Sequence, residues 1–353
     1  MIRVNGQEIF VIDDHVHLWD GRKENWLQPK YAEGWLMCFY DYHKSLSPPE
    51  YVWPLEKYAW YGPDTFVEDV FVKGYVDMGI FQPTYLTDFY KNGWNTTEQN
   101  GVLKAKYPDR FILNTSFDPR DGEAGLEIFE QKVRKWGCKG VKLYTAEWRG
   151  NSKGWKLTDP WAYRYLEKCV ELGVKNIFPH KGPTIWPFNK DAFDVHEVDD
   201  VATSFTELNF IVSHAGIPRI DDFCWIAVQD KNVYADLAVV LAFIWSRPRY
   251  TAEMLAELLY WLGPDRLLYG SDYALWHPKW IIEEFIRFEL PKDIESEYKV
   301  DLSLETKKKI LGLNAARLYG IDIEAQKKKL ARDEIATKYN LKPAEINIPP
   351  HLT

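Results

Sequence analysis

The sequence predicts an α/β fold, a (β/α)8 barrel of the TIM type with an aromatic-rich insertion after its first strand and a helical tail. Short apolar, β-rich runs alternate with stretches of helical period. There are eight such units, and they occupy roughly 260 residues, the usual size of a closed barrel. Because strands that alternate with helices pair in parallel, the pattern favours one closed parallel sheet.

The elements follow one another in a regular order. The predicted strands are residues 9–15, 79–86, 110–117, 140–144, 176–180, 209–214, 232–237 and 266–272. The predicted helices are residues 65–77, 95–106, 123–136, 159–172, 195–205, 219–229, 251–262 and 304–319. Residues 1–321 are thus assigned to the barrel, with an insertion at 24–63 that is rich in Trp, Tyr and Pro. Residues 322–353 form a charged tail, in which 324–339 is compatible with a helix.

Composition excludes several classes of function. The net charge of −8 and the absence of a basic stripe argue against a nucleic-acid partner. The longest apolar run, residues 237–245, is too short to span a bilayer, and the N-terminus has no apolar segment typical of a signal peptide. Four scattered cysteines without a CxxC pair fit a reduced, cytoplasmic compartment.

Histidines at predicted strand ends are the main sign of chemistry. His15 and His17 are two residues apart at the end of the first strand, so their side chains point to the same side. His180 ends the fifth strand, His214 the sixth and Asp272 the eighth. The strand ends of a barrel meet on the face that carries active sites. Imidazoles and a carboxylate gathered there predict a site for Zn²⁺, Mn²⁺ or Fe²⁺.

The motifs DDHVH, FPHKG, VSHAG and YGSDY, in this order, resemble the amidohydrolase superfamily. The resemblance is closest to its "amidohydrolase 2" branch, which includes aminocarboxymuconate semialdehyde decarboxylase. ILGLNAARLYG is similar to the closing helix of that branch, and the resemblance covers roughly residues 9–321. It implies metal ligation by His15, His17, His180 and Asp272. His214, with Asp272 as a second catalytic group, would then activate a water molecule or polarise the substrate.

The implied reaction is hydrolysis or non-oxidative decarboxylation of a small carboxylated compound. Two alternatives stay open. His43 in the insertion and His196 after the fifth strand could join His214 at a second metal ion, or they are ordinary loop histidines. Some relatives, of the 2-aminoisobutyrate hydroxylase type, resemble dinuclear iron or manganese oxygenases that work with a related subunit. The other alternative is a non-catalytic barrel subunit.

Substrate contacts are expected at the barrel mouth. The candidates are Lys142, Tyr144, Arg149, Arg219 and Trp276. The arginines suit a carboxylate because a guanidinium binds it through two hydrogen bonds, whereas Lys142 could instead bridge two metals if carbamylated. The aromatic insertion is expected to act as a lid or as a subunit interface. A homo-oligomer, or a hetero-oligomer with a related subunit, is therefore predicted.

Overall fold

Eight parallel strands lie side by side at the centre of the fold, in the order in which they occur along the chain. In the computed structural model, which describes residues 1–348, the first and last of them also meet. The backbone N–H of Asp14 donates to Tyr269 O at 2.9 Å, and that of His17 donates to Tyr273 O at 2.7 Å. These bonds close the sheet, so the predicted (β/α)8 barrel is confirmed.

The strands are shorter than the sequence pattern suggests. They are β1 (Ile2–Val4), β2 (Gln7–Ile9), β3 (Ile12–Val16), β4 (Met78–Phe81), β5 (Phe111–Thr115), β6 (Gly140–Leu143), β7 (Asn176–Pro179), β8 (Asn209–Val212), β9 (Val233–Asp236), β10 (Leu267–Leu268) and β11 (Ala344–Ile346). The barrel consists of β3 to β10. The last barrel strand has only two residues in regular pairing, so the predicted site residue Asp272 lies in the segment after it.

Helices surround the barrel. They are α1 (Pro29–Leu46), α2 (Leu55–Ala59), α3 (Pro63–Val67), α4 (Thr97–Lys106), α5 (Gly122–Trp136), α6 (Pro160–Leu172), α7 (Glu197–Ser204), α8 (Ile220–Gln229), α9 (Phe243–Ser246), α10 (Pro248–Leu262), α11 (Pro278–Arg287), α12 (Lys292–Tyr298), α13 (Leu304–Lys308), α14 (Asn314–Tyr319), α15 (Ile323–Leu330) and α16 (Glu334–Tyr339). Two predicted helices, 65–77 and 304–319, contain π-helical turns at Glu68–Val72 and Lys309–Leu313.

The lower half of the barrel is apolar and the upper half is polar. A separate core cluster fills the lower half with Phe10, Ile12, Met78, Ile80, Phe178, Ile211 and Leu268, together with Ala315 and Ala316 of α14 and Leu330 of α15. Burying such side chains stabilises each by about 1.5–3 kcal/mol relative to exposure. The strands are thereby fixed from below, and their carboxyl ends hold polar side chains in place.

The insertion and the tail both fold against the barrel. Within the insertion, α1 begins at Pro29, and its buried side chains include Trp35 and Phe39. The tail contains two short helices instead of one, because the Asp333 side chain accepts the backbone N–H of Ala336 and starts a new helix. β11 then pairs in parallel with β1. Residues 349–353, the end of the predicted tail, lie outside the described residues.

Among residues 1–348, none of the helices combines the length and the apolar character that crossing a bilayer demands.

Candidate metal centre and active-site cavity

Three predicted ligands from the first and last strands meet at the mouth of the barrel. Ligand atoms of His15, His17 and Asp272 all lie within 4.8 Å of one another. His17 Nε2 is 3.0 Å and His15 Nε2 is 3.7 Å from Asp272 Oδ1. All three side chains are buried, because β3 aims both imidazoles into the barrel and the segment after β10 aims the carboxylate at them.

The orientation of His15 is fixed by a carboxylate that the sequence reasoning missed. His15 Nδ1 donates to Asp236 Oδ2 at 2.5 Å, and Asp236 Oδ1 accepts the backbone N–H of Ala238 at 2.7 Å. Burial, together with the neighbouring Lys142, lowers the pKa of His15 well below its ordinary value, so the ring is neutral. Its Nε2 lone pair therefore faces the cavity. Asp236 ends β9, and its place at a strand end was the signal that could have revealed it.

His180 and His214 form a second pair with a defined proton arrangement. His214 Nδ1 lies 3.2 Å from Ala238 O and donates to it, which leaves His214 Nε2 to accept from His180 Nδ1 at 3.2 Å. Burial lowers the pKa of both rings. His180 Nε2 is buried and has no hydrogen-bond partner among the described residues. A buried lone pair without a donor is the arrangement that a metal ligand requires.

The carboxylate of Asp272 is held in its ionised form. Burial alone would raise its pKa, but the electrostatic effect of the nearby His15 ring and the hydrogen bond from His17 outweigh burial and lower it. The backbone of Asp272 adopts φ 57°, and His214 and Val239 of the same cavity have φ 66° and 70°. Left-handed φ values in residues other than glycine cost about 1–3 kcal/mol each and concentrate at functional sites. Here they turn the strand ends inward.

The donor set fits a divalent cation. Imidazole nitrogens of His15 and His17 and an ionised oxygen of Asp272 lie within 4.8 Å of one another, and His180, which lines the same cavity, adds its Nε2 from outside that group. His17 Nε2 donates to Asp272 Oδ1 in this structure, because Asn95 Nδ2 donates to His17 Nδ1, so His17 Nε2 would lose its proton on binding a cation. Imidazole and carboxylate are the ligand types of Zn²⁺, Mn²⁺ or Fe²⁺ sites. A second group of possible ligands, His15, His214 and Asp236, shares His15 with the first. Asp236 is already bonded to the ring nitrogen of His15 that faces away from Asp272, and this makes it a positioning group for that ring.

The structure does not bring His43, His196 and His214 together, so the second metal site expected from them is corrected. His43 Nδ1 donates to Leu275 O at 2.6 Å, and His43 Nε2 accepts the backbone N–H of Trp53 at 2.8 Å. Both ring nitrogens are thus used for structure. The side chain of His196 is 66% exposed on the outer surface, beside Glu197.

Two of the five expected substrate contacts point elsewhere. Arg149 is paired with Asp121 and Arg219 with Asp194, and neither arginine lines the cavity around His15. The acids of neighbouring loops satisfy both guanidinium groups, which corrects the expectation that they bind a substrate carboxylate in this cavity.

The other three, Lys142, Tyr144 and Trp276, do line it. Lys142 is buried, and its Nζ donates to Ser213 Oγ at 2.6 Å and lies 3.3 Å from His15 Nε2. Lys142 is therefore the cation nearest to the expected ligands.

Apolar side chains cover the cavity. Its walls include Phe39, Tyr42, Trp94, Ile185, Leu275 and Trp276. α1 is tied over the mouth by hydrogen bonds from Tyr42 Oη to Thr184 O at 3.0 Å and from Tyr90 Oη to Ala32 O at 2.7 Å. The free volume is about 30 Å³, which is room for a few water molecules. The insertion thus covers the site, as its expected role as a lid requires.

Comparisons with known proteins agree with this fold. Among solved structures, an uncharacterized TIM-barrel protein from Bordetella bronchiseptica matches with a TM-score of 0.64 at 16% identity, over 89% of this chain and 99% of the other. A 2,6-dihydroxybenzoate decarboxylase matches with a TM-score of 0.57 at 14% identity, over 89% and 100%. 5-Carboxyvanillate decarboxylase from Sphingomonas paucimobilis matches with a TM-score of 0.52 at 14% identity, over 89% and 100%. At these identities the likeness shows the fold. The curated proteins compared include no match to this sequence.

A match to a family model identifies the family, which the likeness to solved structures does not show. The model described as amidohydrolase matches residues 12–321, which is most of the chain and includes every residue of the candidate centre. The resemblance predicted from the sequence motifs is thereby confirmed, and the chain belongs to the amidohydrolase family.

Proposed function

We propose that the protein is a metal-dependent, non-oxidative decarboxylase of a small carboxylic acid. The observation that carries the proposal is the convergence of His15, His17 and Asp272 within 4.8 Å, in a cavity with apolar walls that His180, with its partnerless Nε2, also lines. His15, His17, His180 and Asp272 would hold the cation. When bound, a divalent cation supplies Lewis-acid polarisation of a carboxylate or carbonyl oxygen.

The residues around the centre indicate which part of the substrate each of them would contact. Lys142 is the one cationic side chain that lines the cavity among the described residues, and its ammonium would pair with an oxygen of the substrate. Trp94 and Trp276 are buried and offer ring faces for an apolar or aromatic body. The site thus combines one anion-binding end with an apolar remainder, and we infer a substrate with a single carboxylate next to the reacting carbon.

Decarboxylation fits a site closed to water. In that reaction the bond from the carboxyl carbon to its neighbour breaks, CO₂ leaves, the electron pair stays on the neighbouring carbon, and a proton taken up from solvent replaces the lost group. The walls and α1 exclude bulk water, which strengthens the electrostatic interactions inside. Because the free volume is about 30 Å³, a substrate enters when the covering segment moves. Two of the solved structures that share the fold are decarboxylases of carboxylated aromatic compounds by their names.

Hydrolysis is the second candidate, and the His180–His214 pair favours it. His214 lines the cavity, and the lone pair of its Nε2, which accepts from His180 Nδ1 in this structure, could accept from a water molecule near the centre if that contact opened. Oxygenase chemistry at two metals has no support from His43 and His196, because neither reaches the cavity.

The test combines metal quantification with a substrate panel. The purified protein is analysed for Zn, Mn and Fe per chain and is then incubated with single-ring carboxylic acids, with their decarboxylated products and with matched esters and lactones. The expected result is about one metal per chain and release of CO₂ from a subset of the acids. The Asp272→Asn variant serves to remove the anionic ligand, and Asp265→Asn, an exposed aspartate, serves as the matched control.

The outcomes separate the candidates. Hydrolysis of an ester or lactone without CO₂ release would replace decarboxylation by the second candidate. Two irons per chain with oxygen-dependent turnover would overturn both. An unchanged metal content in Asp272→Asn would refute the proposed centre itself.

A further inference from the structure

A second and larger cavity lies at the mouth of the barrel, next to the catalytic one. Its volume is about 220 Å³, and it lies between α5 and the loops that follow β4, β5 and β6. Tyr144 lines both cavities, so its ring stands between them. None of the expected metal ligands lines the second cavity. It is therefore a separate space that the proposed decarboxylation does not use.

Four buried aromatic side chains form one wall of this cavity. They are Phe117, Phe129, Trp155 and Tyr165, with exposed fractions of 1–8%. The ring of Phe117 is 4.7 Å from that of Tyr165, 5.7 Å from that of Phe129 and 6.0 Å from that of Trp155, measured between centroids. Such a wall binds an apolar body, and its π faces attract a cation.

The basic side chains at this cavity are already compensated. The guanidinium of Arg149 is paired with Asp121. The ammonium of Lys132 lies 3.4 Å from Glu98 and 4.6 Å from the ring centroid of Tyr85. An anionic ligand would have to displace these acids, and the site therefore disfavours anions.

One acidic side chain at this cavity, Glu147, has no cation in direct contact among the described residues, although Arg120 and Arg149 lie near enough to affect or be affected by its charge. Asp118 is paired with Arg120 at 2.6 Å, whereas Glu147 forms no ion pair within 4 Å among the described residues. Its carboxylate accepts the backbone N–H of Thr87 at 3.3 Å. Burial and the nearby Asp118 raise the pKa of Glu147 to about 7. A carboxylate in this position is stabilised by a positive charge brought into the cavity.

We propose that this cavity is a binding site for a small organic ammonium ion, whose charge pairs with Glu147 and whose apolar body packs against the aromatic wall. The ligand class follows from two features together: a carboxylate with no cation in direct contact among the described residues, and a wall of π faces. Trp148, which lines this cavity, already has an ammonium group over its ring, since Lys153 Nζ lies 3.2 Å from its ring centroid. The inference does not depend on the metal centre or on the proposed reaction.

The test is calorimetric titration of the protein, as purified, with benzyltrimethylammonium at about pH 8, where Glu147 is largely ionised. The charge of this probe does not titrate. We expect a Kd on the order of 0.1–1 mM, with no saturable binding of benzyl alcohol or benzoate. Glu147→Gln, which keeps the shape of the side chain, should weaken binding about tenfold or more. Glu127→Gln, an exposed glutamate of α5, is the matched control and should leave the Kd unchanged.

Three results would overturn the proposal. The first is no saturable binding of the probe up to about 10 mM. The second is equal binding by Glu147→Gln and the unmodified protein. The third is binding that Asp272→Asn abolishes and Glu147→Gln retains, since this would put the ammonium ion in the catalytic cavity instead. A second variant, Trp155→Leu, keeps an apolar side chain but removes one π face. It should weaken binding of the ammonium probe.

Discussion

The hydrogen bond between His15 and Asp236 leads to a sharp prediction about the metal centre. In Asp236→Asn, the oxygen that accepts the Ala238 N–H at 2.7 Å is expected to stay in place, because that backbone donor needs an acceptor. The new NH₂ group then faces His15 Nδ1 at the position of Oδ2, 2.5 Å away. Two donors cannot share that contact, so His15 must accept at Nδ1 and carry its proton at Nε2.

The expected loss follows from this change of tautomer. An imidazole with a proton on Nε2 has no lone pair to offer the cation at that atom. Loss of an orienting carboxylate costs about 10–100-fold in metal affinity, or roughly 1.4–2.7 kcal/mol. Asp236→Asn should lower the metal affinity by at least this factor. It removes the carboxylate that orients His15, and it also favours the tautomer of His15 that has a proton on Nε2.

The measurement is competition between the protein and a chromophoric chelator for Zn²⁺, with urea unfolding of the metal-free proteins as a check on folding. Asp265→Asn is again the matched control, since its side chain is 56% exposed and forms only a surface ion pair with Lys309. The double variant of His15→Ala and Asp236→Asn should bind the metal no more weakly than His15→Ala alone, because the carboxylate acts through that ring. Zn²⁺ affinity of Asp236→Asn within threefold of the unmodified protein would refute the reasoning.

Three further predictions concern the histidine outside the centre, the second cavity and the metal itself. His43→Ala should lower the free energy of unfolding in urea by about 1–3 kcal/mol, since it leaves Leu275 O and Trp53 N without partners, while metal per chain stays the same; a loss of metal would make His43 a ligand. Burial raises the pKa of Glu147 from 4.5 to about 7, so the folded protein holds this proton more tightly than the unfolded chain, and ionisation costs stability as the pH rises through that window. Glu147→Gln should therefore raise the melting temperature at about pH 8 and change it little near pH 4.5; a lower melting temperature at the higher pH would contradict this. Removing the metal with a chelator should lower the melting temperature, and added Zn²⁺ should restore it, with a further rise that follows the logarithm of the Zn²⁺ concentration; an unchanged melting curve would argue against a cation bound to the folded state.

The residues of the centre were accessible from the sequence because topology alone brings them together. His15, His17, His180, His214 and Asp272 all follow predicted barrel strands, and the carboxyl ends of parallel strands meet on one face whatever the loops do. Asp236 ends a strand in the same way. The sequence does not single it out, because Asp236 lies within the predicted strand 232–237 with no histidine or second acidic residue beside it.

Whether Arg149, Arg219 and His43 reach the cavity depends on the conformation of loops and on the rotation of a helix. The pattern of strands in the sequence determines neither of these. Each arginine is close to acids of neighbouring loops, and an ion pair within the protein satisfies it before a substrate can. His43 lies on α1, and the position of that helix over the mouth turns the ring toward backbone groups. Sequence proximity to the mouth was a sound guide to the region, but the partners of each side chain follow from packing.

The buried charges inside the barrel indicate that a bound cation would stabilise the fold as well as take part in the chemistry. Asp13, Asp14, Asp236 and Asp272 are buried around the centre, and among the described residues Lys142 is the one lysine that lines the cavity beside them. Burial raises the pKa of Asp13 to about 7 and also raises the pKa of Asp14 and Asp236. Ionised carboxylates at such depth are unfavourable unless positive charge lies nearby. A divalent cation held by the histidines would supply that charge, where the described residues provide one ammonium group in the cavity. Without a bound cation, some of these carboxylates must take up protons. Binding of the cation and ionisation of the carboxylates are therefore linked.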